Sequence, residues 1–184
     1  MACSSDSAGV AVGLYPPALA KPTKSFMLLF QMMTGSLGRD HTEQIDMWPK
    51  DNYEAWQQIH DFIDEFPEDA YWSGWKSMVR NLVAALEQRG LVPLFRIGQS
   101  MHHIIFSTLD HHCLASEPRV TTEFNPKDQT VRVAYSVANL YFSEPLSENR
   151  VPATASVNTT LDYLRRLWME TKPGTPIPDA LISG

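Results

Sequence analysis

The chain has 184 residues, with 15 Lys and Arg against 21 Asp and Glu. Its net charge of −6 opposes broad nucleic-acid binding, because affinity for phosphate backbones comes from neutralising them with cations. The two cysteines, Cys3 and Cys113, are too few for a disulfide framework, and the longest apolar run, Phe26 to Met33, is broken by Gln31 and falls far short of the ~20 residues of a membrane-spanning helix.

Residues 1–24 mix Ser, Gly, Ala and Pro without periodicity and read as a flexible leader outside the fold. Ala18-Leu19-Ala20 has the small-x-small form of a cleavage site. Pro16 and Pro17 interrupt the stretch before it, however, and no Lys or Arg stands ahead of that stretch, so a secretory signal is not expected and a cytoplasmic setting is. The run Ser25 to Met33, apolar on both faces and stopped by Thr34-Gly35-Ser36, suits a buried strand.

A first helix is predicted after Pro49, with Asp51 as its cap and Glu54 as the capping-box partner. Its buried stripe is Trp56, Ile59, Ile63 and Phe66, widened by Phe62, and Pro67 stops it. Glu68 and Asp69 then provide the negative start of a second helix, whose core side carries Trp72, Trp75, Val79, Leu82, Val83 and Leu86. Arg89-Gly90-Leu91 suits a left-handed glycine cap.

After Pro93 the pattern changes to alternation, with strands expected at Leu94–Ile97, Met101–Leu109, Val120–Phe124 and Thr130–Ser136, arranged as an antiparallel meander. Asn125 to Gln129 supplies the turn residues between the last two. Ala138 to Ser143 continues that strand or adds another, and Glu144 to Pro152 reads as a polar connection. Thr159 and Asp162 are expected to cap a final helix through Leu161, Leu164, Leu167 and Trp168, ended by Lys172-Pro173-Gly174, with residues 173–184 as a proline-rich extended tail. The expected fold is an α+β two-layer sandwich over residues 25–172, an antiparallel sheet of about four to five strands covered on one face by about three helices.

The segment Met101 to Cys113 holds four of the six histidines and one cysteine. On a strand His103 and His112 would stand about 30 Å apart, and on a helix roughly 13 Å, so the two cannot share an ion. Adjacent residues on a strand face opposite sides, which separates His102 from His103 in the same way. No CxxC, HExxH or HxxxH spacing links the segment to other ligands, so neither a metal nor another cofactor is expected.

The favoured reading is a small acidic domain that binds a protein partner without catalysis, as an adaptor, chaperone, inhibitor or immunity-type protein, with Tyr141, Phe142 and Arg150 as contact residues. Self-association through a strand edge or the tail is compatible with it. The second reading is a small enzyme, metal-assisted or not, using His103, Asp110, His112 and Cys113 as acid, base or nucleophile. A common pocket around those side chains is its mark, whereas a binding module is expected to expose a contact patch.

Overall fold

The computed structural model describes residues 51–100, 102–108, 117–137 and 144–182. The leader, the strand expected at 25–33 and the segment 138–143 lie outside the described residues.

Helix α1, Asn52–Asp64, starts where Asp51 accepts a hydrogen bond from the Glu54 amide at 2.9 Å. Helix α2, Ala70–Gln88, starts the same way, with Asp69 accepting from the Trp72 amide at 2.9 Å. Each carboxylate satisfies an amide that the first helical turn leaves without a partner. Gly90, at φ +77°, closes α2: its amide donates to Glu87 and the Leu91 amide donates to Leu86, the paired bonds of a Schellman cap, and Leu91 is buried.

Five strands follow: β1 Arg96–Ser100, β2 His103–Ser107, β3 Arg119–Asn125, β4 Thr130–Ser136 and β5 Ser147–Pro152. They form one antiparallel sheet in chain order, the predicted meander. Asn125 organises the β3–β4 turn by accepting from the Lys127 and Asp128 amides and donating to the Asp128 carboxylate. Helix α3, Ser156–Thr171, closes the fold.

The inner face of the sheet presents Ile97, Ile104, Phe106, Val120, Phe124, Val131, Val133 and Tyr135 to the helices, all buried in one core with Trp56, Trp75, Leu86 and Leu164. Helix α1 lies against β1, α2 against β3, and α3 against β3, β4 and β5. This is the expected α+β sandwich, with three α-helices on a five-stranded antiparallel sheet among the described residues. No helix among the described residues is long and apolar enough to cross a membrane.

Four local expectations are corrected. Strand β1 begins at Arg96 and runs to Ser100, so the Ser100↔His103 pair closes a two-residue hairpin and β2 starts only at His103. The polar stretch 147–152 is a strand, because pairing with β4 satisfies its backbone while its side chains stay largely exposed. Helix α3 begins one turn earlier than Thr159; Thr159 lies inside it, donating to the Ala155 carbonyl, and Asp162 pairs with Arg165. The proline-rich tail folds back onto α3: Trp168 donates to the Pro176 carbonyl, Arg165 to the Leu181 carbonyl, and Leu181 is buried.

Candidate functional site

Antiparallel registry places side chains in rows across the outer face of the sheet, the face opposite the helices. One row reads Ser100, His103, Glu123, Arg132, Arg150 from β1 to β5. Residues directly opposite on one face bring their Cβ atoms to about 5 Å, so His103 meets Glu123 and Glu123 meets Arg132. Arg132 donates to Glu123 Oε2 at 3.3 Å and through Nε to Glu148 Oε2 at 2.9 Å. Two carboxylates therefore relieve the repulsion that Arg132 and Arg150 would feel as register partners.

His102 joins this row from outside the strand. As a residue of the two-residue β1–β2 hairpin it is free of the strand's alternation, and its ring meets that of His103 edge to face with centroids 4.5 Å apart. The expectation that His102 and His103 face opposite sides is overturned, since it assumed that both lie on one strand. His102, His103 and Glu123 each offer a ligand atom, and these atoms lie within 4.8 Å of one another, all three residues half-buried.

The fold holds this triad from beneath. Trp75 of α2 is fully buried and its indole Nε1 donates to the His102 carbonyl at 3.3 Å, tying the hairpin to the helix layer. Trp75 is itself set among Phe62, Phe66, Trp72 and Phe124. Burial holds His103 below the ordinary histidine value of 6.5, and adjacent His102 pushes the same way; Glu123 opposes and Arg132 reinforces the lowering. The His103 imidazole is consequently neutral at pH 7, with a ring nitrogen free to accept a proton or a metal.

Beside the triad is a recess of about 310 Å³ lined by Tyr71, His102, Glu123, Phe124, Asn125, Lys127 and Arg150. Lys127 and Arg150 have no ion-pair partner among the described residues, and Tyr71 is 42% exposed. The recess thus gathers two cations and an aromatic ring beside the Glu123 carboxylate that Arg132 already pairs, although the chain as a whole is acidic.

Of the residues named from sequence, His103 lies in the triad and Arg150 lines the recess beside it. Asp110, His112, Cys113, Tyr141 and Phe142 lie outside the described residues. His60 is elsewhere, 2.8 Å from Glu87. Sequence reasoning missed Glu123, Tyr71 and Lys127. The signal for Glu123 was the β2–β3 register, which follows once both strands are aligned on their buried positions.

No family model, curated protein or solved structure matches this chain.

Proposed function

We propose that this domain acts by binding a macromolecular partner, a protein that inserts an acidic segment into the recess beside β3 and β5, without catalysis. The observation that supports this reading is that Lys127 and Arg150, two cations lacking ion-pair partners among the described residues, line one recess together with the exposed Tyr71. Arg binds a carboxylate through two parallel hydrogen bonds, and Tyr supplies contact area at low entropic cost, which is why both are enriched at interfaces. A carboxylate side chain and its neighbours fit the volume available.

The cysteine content agrees with a cytoplasmic setting for this reading. Pairing of a second copy along the edge of β5 is disfavoured, because Glu148, Arg150 and Pro152 put charge and a missing donor on that edge.

The test is fluorescence anisotropy of labelled Asp- and Glu-rich peptides against the full chain and against K127E and R150E. Binding that weakens about tenfold in either variant, a loss of roughly 1.4 kcal/mol, is the expected result. Failure of every acidic peptide to bind the unmodified chain, or equal binding by the charge-reversed variants, refutes it.

A further inference from the structure

We propose that His102, His103 and Glu123 form a binding site for a divalent transition-metal ion, zinc in the first instance, at the edge of the recess. Two imidazoles and one carboxylate are a recognised zinc donor set, and three protein ligands leave a coordination position open. The donor atoms lie within 4.8 Å of one another. Around a tetrahedral zinc with bonds near 2.1 Å they would stand about 3.4 Å apart, so closure requires movements of roughly an ångström, within reach of side-chain torsions.

The surroundings are those of a supported site. Arg132 holds Oε2 of Glu123, whose other oxygen has no hydrogen-bond partner among the described residues. Trp75 fixes the carbonyl of His102, and the strand pair fixes His103 opposite Glu123. Such outer contacts orient metal ligands before the ion arrives. His102 and Glu123 also line the recess, so the open coordination position borders it.

Arg132, Lys127 and Arg150 oppose a bare dication and favour one that carries an anionic fourth ligand. Zinc alone is therefore expected to bind in the micromolar range, weaker than in closed four-ligand sites. The measurement needs no partner, so it stands or falls separately from the peptide-binding reading.

The experiment is calorimetric titration of zinc chloride into the full chain, purified without a histidine tag and treated with chelator, beside H102N and E123Q. Asn suits the hairpin position of His102, and Gln preserves the shape of Glu123, so at least one variant is expected to keep the unmodified chain's circular dichroism. One zinc per chain, with affinity reduced at least tenfold in whichever variants keep that spectrum, and a zinc-dependent rise in Tm confined to the unmodified chain, is the expected result. Absence of binding by the unmodified chain, or unchanged affinity in a folded variant, overturns the proposal, the second because the ion would then sit elsewhere in the chain.

Discussion

Replacing Trp75 with Phe separates what the core contributes from what the hairpin needs. Trp75 is fully buried, and its indole both fills the space between Phe66 and Phe124 and donates to the His102 carbonyl at 3.3 Å. Removing the pyrrole portion leaves a void on the order of 40 Å³, which at ~24 cal/mol per Å³ costs about 1 kcal/mol. The long hydrogen bond contributes roughly 0.5–1 kcal/mol, and lost apolar transfer and ring contact bring the total to about 2–3 kcal/mol. Urea denaturation followed by circular dichroism should show the midpoint falling with an unchanged slope, and Tm should drop by roughly 5–10 °C. Zinc affinity should fall as well, because the hairpin carrying His102 loses its tie to α2. A loss below about 0.5 kcal/mol, near the size of ordinary surface substitutions, would refute the role assigned to the indole.

Gly90→Ala should destabilise the chain by about 1 kcal/mol, measured by the same denaturation, because φ +77° forces a Cβ into the left-handed region that closes α2. Acid should also weaken the fold modestly through Glu170, which the hydrogen bond from Arg166 holds below its ordinary value of 4.5, with the Tyr135 hydroxyl adding to the effect. A depressed folded-state value gives stability that is present above about pH 4.5 and is lost as pH falls through the lower folded value, so E170Q should flatten that part of the pH–stability curve. Tyr135 works in the opposite sense: burial and the bond to Glu170 raise it above its ordinary 10.0, so its contribution is present below pH 10 and is lost as the phenol ionises at higher pH.

The helices were legible because their signals are local. Asp51, Asp69 and Gly90 mark ends by hydrogen bonds to residues a few positions away, and Trp56, Ile59 and Ile63 show the buried stripe directly. Strand β5 was not legible, since Ser147-Glu148-Asn149-Arg150 offers no apolar alternation: it is an edge strand with little to bury. The β1–β2 hairpin escaped for another reason. Its connection contains His102, where Asn or Gly would ordinarily announce a tight turn, and His103-Ile104-Ile105-Phe106 extends the apolar run without a visible break.

The site inherits its precision from the core beneath it. A slip of β2 by one residue against β3 would turn His103 to the inner face and remove it from Glu123, while driving Ile105 into the place of Ile104. What prevents the slip is on the other side of the sheet: Ile104 and Phe106 are fully buried beside Thr122 and Val120, and the Thr122 hydroxyl donates to the Ile104 carbonyl at 3.3 Å. That hydroxyl lies on the helix-facing side of β3, and its bond is made to the strand whose register decides the triad. Helix packing thus fixes β3, β3 fixes β2, and the hairpin at the end of β2 brings in His102 with Trp75 beneath it. No motif in the local sequence marks the three ligands, because their proximity is a property of strand register and of one turn.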